Sequence, residues 1–390
     1  MHRANGASIV RVAMVNKYYP PHLGGIEHHL RDLAEALAMR GDARVRVLTA
    51  NESRRRVDEI IRGVEITRLR RLTAPASTPI TPGLPFGLHR TQTRDSNTAD
   101  LLHLHFPYPW GELSWFLARP GIPTVLTYHS DIVRQKALLD LYRPLLRRVL
   151  DRVDLVIASS PNMVRHSPFL RGREAKCRVV PFGIDVERFG PHPSTQARAA
   201  ELRRQYGSPL TLFVGRLIYY KGAEVLLRAM TKTPGRLIII GRGPLEQDLR
   251  DLTADLGLVG RVFFLPPVEA KELAAWYRAA DVFCLPSVAR SEAFGLVQLE
   301  AHASGTPVVS TNLTTGVPYV NQDGITGLVV PPGDPERLAR ALSRLLDDVE
   351  LRRRLGHQAE ARARRHFTIQ RMVDGTMEVY REALQARTAE

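Results

Sequence analysis

Two carboxylates, two cations and a set of helix-start amides in the C-terminal half have the types and spacing to hold a phosphorylated, hydroxyl-rich ligand. The segment Leu285-Pro286-Ser287-Val288-Ala289-Arg290-Ser291-Glu292-Ala293-Phe294-Gly295-Leu296 puts Glu292 in a loop, with Glu300 about two turns further along the helix that follows. An ionised carboxylate accepts two hydroxyl hydrogens at once, so either residue suits a sugar ring or a ribose. The backbone N–H groups of Phe294, Gly295 and Leu296 stand at the helix start, and Gly295 lets an anion approach the main chain closely. Upstream, Leu210–Val214 runs into Gly215, Arg216 and Lys221, with the two cations five residues apart ahead of another helix. At the end of a buried strand such a pair forms a phosphate clamp, and Lys221 is one of only six lysines against 49 arginines. The plainer alternatives are that Glu292 merely favours the helix dipole, that Glu300 is a solvated helix residue, and that Arg216 and Lys221 are exposed loop cations.

Other residue sets point less firmly. Leu237–Ile240 followed by Gly241-Arg242-Gly243-Pro244-Leu245-Glu246 begins like a dinucleotide fingerprint, but Glu246 stands where the last glycine belongs. What survives is a tight turn with close backbone approach, and hydride transfer loses its support. His103 and His105 lie two apart on a strand, hence on one face, and with His129 they form a candidate three-histidine metal site. The favoured reading is that they line a cleft or bond neighbouring backbone. His28 and His29 open a helix after Gly24-Gly25 and read as surface or cleft residues. The two cysteines, Cys177 and Cys284, lie in different halves and read as reduced and structural.

Short β-branched runs must position these residues. Ile9–Val15, Val45–Thr49, Leu101–His105, Thr124–Tyr128, Leu155–Ser159 and Arg178–Pro181 alternate with helix candidates such as Glu27–Arg40 and Arg143–Val153. A second set follows: Leu210–Val214, Arg236–Ile240, Val262–Leu265, Val282–Leu285, Pro307–Ser310 and Gly327–Val330, with helices after Gly222, Pro244, Lys271, Gly295 and Asp334. Alternation of this kind predicts two α/β domains, each a doubly wound parallel sheet. In such sheets ligands bind outside the carboxyl ends of the strands, where the Gly215 and Glu292 loops fall. Arg188-Phe189-Gly190-Pro191-His192-Pro193 has the composition of a linker and sets a boundary at 188/189. Asp334 is a natural N-cap with Pro335 at the first helical position, and Gly305 ends the preceding helix as a left-handed cap.

At 390 residues with 44% apolar and 24% charged side chains, the chain is globular and long enough for two cores. No stretch has the length of apolar sequence that a bilayer span needs, and Ile9–Val15 reads as a first strand rather than a signal, which predicts a cytoplasmic protein. The net charge of +15 is uneven: residues 1–188 carry 29 Lys/Arg against 18 Asp/Glu, and the remainder 26 against 22. A basic first half suits a phosphorylated or lipid-linked partner, or is simply a solvated arginine-rich surface. Leu138–Val153, with Arg143, Arg147, Arg148 and Arg152, is either a peripheral contact to anionic membrane or a core helix with a basic face; Pro144 interrupts it. No stripe of basic residues interleaved with aromatics argues for nucleic acid.

Taken in order, these motifs resemble the retaining glycosyltransferases of the GT-B fold, the large bacterial family four with a Glu, seven residues, Glu motif. That motif is Glu292 to Glu300, with Phe294-Gly295-Leu296 inside it. Gly24-Gly25-Ile26-Glu27, Thr127-Tyr128-His129-Ser130-Asp131, Pro181-Phe182-Gly183-Ile184-Asp185, Gly215-Arg216 with Lys221, and Gly305-Thr306-Pro307 extend the match over nearly the whole chain. The resemblance implies two Rossmann-like domains facing a cleft: an acceptor-side domain over 1–188, rejoined by a final helix at about 370–390, and a nucleotide-sugar domain over 189–369.

It also implies roles. Arg216 and Lys221 neutralise the diphosphate with Gly215 and Gly243 beside it, and Glu300 holds the ribose. Glu292 and the amides of Phe294, Gly295 and Leu296 hold the transferred sugar, while Val268 meets the base through its backbone. Gly24 and Gly25 bring the first domain's main chain to the phosphates, His129 sits beside the reacting sugar, and Ser130, Asp131 and His105 lie on the acceptor side. Ala293 departs from the glycine or serine of many relatives and narrows the sugar pocket.

The expected reaction moves a hexosyl group from a UDP- or GDP-sugar to a hydroxyl of a lipid-linked, phosphorylated or polysaccharide-precursor acceptor. It needs no cofactor and no metal, since no Asp-x-Asp motif is present and two protein cations face the diphosphate. A GT-B epimerase or phosphorylase, or a natural-product glycosyltransferase, is the alternative.

Overall fold

The structure, a computed structural model, describes residues 9–21, 24–75, 78–91, 98–131 and 136–388. It divides into two compact units. The first comprises Met1–Ser159, Ser167–Phe182 and Ile369–Glu390, and the second Ser160–His166 and Gly183–Thr368. The change of unit thus falls at Phe182/Gly183, ahead of the Gly/Pro-rich stretch whose composition suggested 188/189. The reason is local: Ile184 donates its N–H to Phe367 O, and Phe189 is buried in the second unit against Tyr277.

In the first unit the strands are β1 (Val10–Val15), β2 (Ala43–Ala50), β3 (Val57–Ile61), β4 (Val64–Leu69), β5 (Leu101–Phe106), β6 (Thr124–Tyr128), β7 (Leu155–Ala158) and β8 (Cys177–Val179). They form one sheet in the order β3-β4-β2-β1-β5-β6-β7-β8. All neighbours pair in parallel except β3 and β4, which form an antiparallel hairpin at the edge. The sheet is thus the parallel, doubly wound kind expected, with one added antiparallel edge strand. The helix Gly25–Arg40 covers one face with Leu30, Leu33, Ala34 and Leu37 buried. The last helix, Ile369–Thr388, returns to the same core through Val373, Met377 and Tyr380.

The helix Lys136–Arg152 runs through Pro144; Leu146, Val149 and Leu150 are buried while Arg143, Arg147 and Arg148 are exposed. Its described apolar residues therefore serve the core and leave a basic outer face, and the side chains of residues 136–139 and 141 lie outside the described set. Among the described residues no helix is long and apolar enough to cross a membrane.

The second unit holds β9 (Leu210–Val214), β10 (Arg236–Ile240), β11 (Val262–Leu265), β12 (Val282–Leu285), β13 (Val308–Thr311) and β14 (Gly327–Val330), all parallel, in the order β11-β10-β9-β12-β13-β14. The central strands are apolar on both faces because helices cover both, as buried parallel strands require. Strand order reverses between β9 and β12, which makes the carboxyl ends of these two strands the switch point where ligands of open α/β sheets bind. Helix ends follow the local chemistry: Asp334 Oδ1 accepts the Arg337 N–H at 2.9 Å, and Gly305, with φ 73°, closes the helix Leu296–Ala303.

Candidate nucleotide-sugar site

The loops after β9 and β12 carry the charged residues singled out in the sequence, and they are stitched together by main chain. After β9 a 3-10 turn, Tyr219–Lys221, leads to Gly222 at φ 70°. That left-handed backbone suits glycine, and a Cβ there would lie 2.0 Å from Pro286 O in the other loop. Val288 donates its N–H to Tyr220 O at 2.8 Å, a second tie across the switch point.

This closeness sets the central contact. Lys221 Nζ lies 2.7 Å from Glu292 Oε2, with side-chain exposures of 12% and 8%. The same oxygen accepts the Ser287 hydroxyl at 2.9 Å. Burial disfavours the Lys221 ammonium, but the adjacent Glu292 carboxylate, helped by Glu300, outweighs it and holds the pKa above the ordinary lysine value. Lys221 is therefore a fixed, largely desolvated cation, not an exposed loop lysine. Arg216, by contrast, is exposed and makes no ion pair among the described residues.

Glu300 lies one helix further on and is half-buried, with Oε2 accepting the Tyr277 hydroxyl at 2.8 Å. Burial first, and the Glu300 charge second, push the Tyr277 phenol well above its usual range, so it stays a donor. Between the carboxylates, Gly295 has φ 74° and caps the helix Leu296–Ala303 with no side-chain cap. The first amides of that helix lack helical acceptors, as at any helix start, and their positive end faces the loop. Gln298 fixes the turn by donating from Nε2 to Phe294 O at 2.6 Å, and Gly316 donates its N–H to Ala293 O at 2.7 Å. Ala293 is half-buried in this turn, and Val268 is half-buried after two exposed prolines.

The Gly241-Arg242-Gly243 turn has a packing explanation. A Cβ on Gly243 would meet Leu217 O at 2.2 Å, and Leu217 exchanges main-chain hydrogen bonds with Arg242 and Leu245. These glycines bring the loop after β10 against the loop after β9.

In the first unit, Gly24 precedes the helix Gly25–Arg40, and the Glu27 carboxylate fills the space a Gly24 side chain would take, 2.1 Å from that Cβ position. Asp131 is buried, with Oδ1 accepting the hydroxyls of Tyr128 (2.8 Å) and Ser167 (2.7 Å), while Ser130 is half-buried.

His105 and His129 are brought together, Nδ1 to Nε2 at 3.0 Å. His103 is not the third member of their group: its ring nitrogens bond Tyr380 and Thr127, each at 2.7 Å. The third is His29. Burial drives all four imidazoles below their ordinary pKa, with His29 and His103 pushed down to about 3. They are neutral at physiological pH.

Sequence reading assigned no role to Ser287, Tyr277 or Gln298, and it took His29 as a surface or cleft residue, whereas its side chain is buried. Ser287 had a weak signal, two residues past a buried strand. Tyr277 had none, because an aromatic in an amphipathic helix does not declare what its hydroxyl reaches.

Residues 23–188 match the Glycosyltransferase Family 4 sequence family, and residues 195–362 match Glycosyl transferases group 1. The chain is similar to the O-antigen chain mannosyltransferase C of Escherichia coli, 34% identical over 383 residues that span 97% of this chain and 100% of that protein. It is 42% identical to the D-rhamnosyltransferase WbpZ of Pseudomonas aeruginosa over 270 residues, 69% and 70% of the two chains. Sucrose-phosphate synthase from Thermosynechococcus elongatus superposes with a TM-score of 0.80 at 26% identity, covering 97% of this chain and 100% of that one. Anabaena HepE, solved in complex with UDP-glucose, shares the fold with a TM-score of 0.77 at 21% identity, over 95% of this chain and 99% of that one. The ordered motifs, the two parallel-sheet units and these relationships agree: the chain belongs to the family 4 glycosyltransferases of the GT-B fold.

Proposed function

We propose that this glycosyltransferase moves a manno-configured hexosyl group from a GDP- or UDP-sugar, with retention at the anomeric carbon, to a hydroxyl of a lipid-linked, phosphorylated or polysaccharide-precursor glycan. The buried Lys221–Glu292 pair at the switch point of the second unit carries the reading. The choice of sugar is supported by two relatives named for mannosyl and D-rhamnosyl transfer, since D-rhamnose is mannose without its C6 hydroxyl. O-antigen chains are polysaccharides, which supports the acceptor class.

Breaking the anomeric bond places positive charge on the sugar and negative charge on the departing diphosphate. Lys221, already desolvated and held by Glu292, needs little reorganisation to meet that negative charge. Arg216, exposed and unpaired in the same loop, closes on the other phosphate, and the helix-start amides at Gly295 and Leu296 add partial positive charge. Glu300, oriented by Tyr277, accepts the ribose hydroxyls, while the free lone pairs of Glu292 accept hydroxyls of the sugar. Val268 meets the base through its main chain. Two protein cations at the diphosphate leave no step that requires a divalent metal there. Attack comes from the face the diphosphate leaves, and a leaving phosphate oxygen takes the acceptor's proton.

Acceptor recognition is assigned to the first unit, through Ser130, Asp131 and His129, with His105 orienting the His129 ring through their 3.0 Å contact. The basic outer face of the helix Lys136–Arg152 supports encounter with anionic, lipid-linked acceptors at a membrane surface.

A thermal-shift screen of GDP-mannose, GDP-D-rhamnose, UDP-glucose and the free nucleotides tests the donor. Stabilisation by a GDP- or UDP-sugar, followed by nucleoside diphosphate release on adding acceptor, is the expected result. Arg216→Ala and Glu292→Ala are each expected to abolish turnover, and near-normal rates in both would overturn the site.

A further inference from the structure

In the first unit three imidazoles converge from elements far apart in sequence. His29 sits in the first turns of the helix that follows β1, His105 near the end of β5, and His129 directly after β6. These three strands are adjacent in the sheet, in the order β1-β5-β6. All three histidines are buried, and each places one ring nitrogen within 4.8 Å of the others. Phe182 covers the group, its ring centroid 4.3 Å from that of His29 and 5.2 Å from that of His129.

Protein hydrogen bonding does not satisfy the cluster. His105 Nδ1 and His129 Nε2 share one contact at 3.0 Å, whereas both nitrogens of His29 and Nε2 of His105 are buried without any partner. Both nitrogens of His29 and Nε2 of His105 lie out of solvent contact with rings packed around them, which leaves no room for a sugar or phosphate at those atoms. A bare cation needs no such room. Bonds of about 2.1 Å in tetrahedral geometry put ligand nitrogens roughly 3.4 Å apart. The 3.0 Å pair meets this by opening a few tenths of an ångström, and His29 by a side-chain rotation that breaks no hydrogen bond.

We propose that His29, His105 and His129 form a binding site for one divalent transition-metal ion of the zinc, cobalt or nickel type. An all-imidazole set selects those ions over magnesium, calcium or manganese, which prefer oxygen ligands. The neutral state that burial imposes on all three rings is the form a metal requires. His103 stands behind the group, its ring centroid 4.3 Å from that of His105 and its nitrogens already engaged by Tyr380 and Thr127, so it buttresses His105 rather than ligating. Of the charged groups around the cluster, Lys17 opposes a cation near His129, and Glu27 and Glu112 in turn face Lys17. Arg216 and Lys221 belong to the other unit.

The full chain, stripped with EDTA and titrated with Co2+, tests this. The expected result is a visible d–d spectrum of the intense tetrahedral kind, saturating at one equivalent and bleached stoichiometrically by Zn2+, with a rise in melting temperature. His29→Leu and His105→Gln are each expected to weaken binding more than about tenfold while far-ultraviolet circular dichroism stays unchanged; His28→Ala, a neighbouring histidine outside the cluster, retains it. A chain that gives no one-equivalent Co2+ spectrum overturns the proposal. So do cluster variants that bind as tightly as the unaltered chain, and so does loss of binding in His28→Ala with retention in His29→Leu. Because the readouts are spectrum and stoichiometry, they stand or fall apart from the assignment of His105 and His129 to the acceptor side.

Discussion

Replacing Lys221 by methionine keeps the reach of the side chain, deletes its charge and leaves the Glu292 carboxylate, only 8% exposed, with the Ser287 hydroxyl as its remaining partner at that oxygen. At 2.7 Å the gross attraction is about 6 kcal/mol for an effective dielectric constant near 20. Most of that offsets desolvation, so the usual cost of orphaning one member of a buried pair, about 3–5 kcal/mol, is the expected loss of stability. For a unit of this size each kcal/mol moves the melting temperature by about 2–4 °C, giving a fall of roughly 6 to 20 °C. Turnover is expected to fall further than stability explains, by on the order of 10² to 10³ in kcat, because a preorganised charge facing the leaving group is gone.

The double variant Lys221→Met with Glu292→Gln isolates the stability effect. With both charges removed, stability should return to near the original, since a neutral amide can still accept from Ser287, while kcat stays low. Calorimetry and initial rates of nucleoside diphosphate release, measured on all three proteins, complete the test. If turnover recovers together with melting temperature, Lys221 acts through the fold alone, and the electrostatic account of the site is wrong.

Tyr277→Phe removes the hydroxyl that holds Glu300 Oε2, and the loss of one hydrogen bond, about 1 kcal/mol, should raise KM for the donor about fivefold with little change in kcat; a kcat effect without a KM effect would contradict a positioning role. Gly222→Ala forces a Cβ to 2.0 Å from Pro286 O at positive φ and is expected to destabilise the second unit by more than about 3 kcal/mol, whereas Gly257→Ala, left-handed but with nothing near its Cβ position, should cost about 1–2 kcal/mol; equal melting temperatures would refute the stitching of the two loops. His302 is fully buried, and burial, only partly opposed by the neighbouring Asn321 side chain, pushes its pKa down to about 3. Its lowered pKa contributes stability that is complete above the ordinary value of 6.5 and is lost as pH falls from there toward 3, so the urea midpoint of His302→Leu should decline less between pH 7 and pH 5 than that of the unaltered chain.

Much of this arrangement is written in local patterns. Leu210–Val214, Arg236–Ile240, Val262–Leu265, Val282–Leu285 and Gly327–Val330 appear in the fold with the limits read from sequence, because short apolar runs bounded by Gly, Pro or Asp leave a buried parallel strand little choice of ends. The edge hairpin of β3 and β4 escaped the same reading. Val57 and Ile60 are exposed and flank the two acids Asp58 and Glu59, so no buried face advertises the pair; only the Arg62-Gly63 turn between β-branched residues hinted at it. The loops bearing Lys221 and Glu292 were legible as places, but their ion pair was not, since it depends on how closely Gly222 lets two loops meet. The histidine cluster shows the same limit. Alternation correctly put His103 and His105 on one face, yet His103 is consumed by Thr127 and by Tyr380, 277 residues away, and the vacancy goes to a helix residue that no strand period could indicate.

The return of the last helix to the first unit has a consequence for biosynthesis. Val373, Met377 and Tyr380 fill one core together with Val12, Leu33 and Val125, and Tyr380 caps a histidine buried in the middle of the sheet. A ribosome delivers the first sheet well before the helix Ile369–Thr388, with the second unit between them. The first sheet must therefore wait with an open apolar face while the whole second unit emerges and folds, and a nascent chain stalled or clipped before Ile369 keeps that face uncovered. Proteins released early should consequently be recognised by chaperones or degraded through their N-terminal half, even though the missing residues lie at the other end.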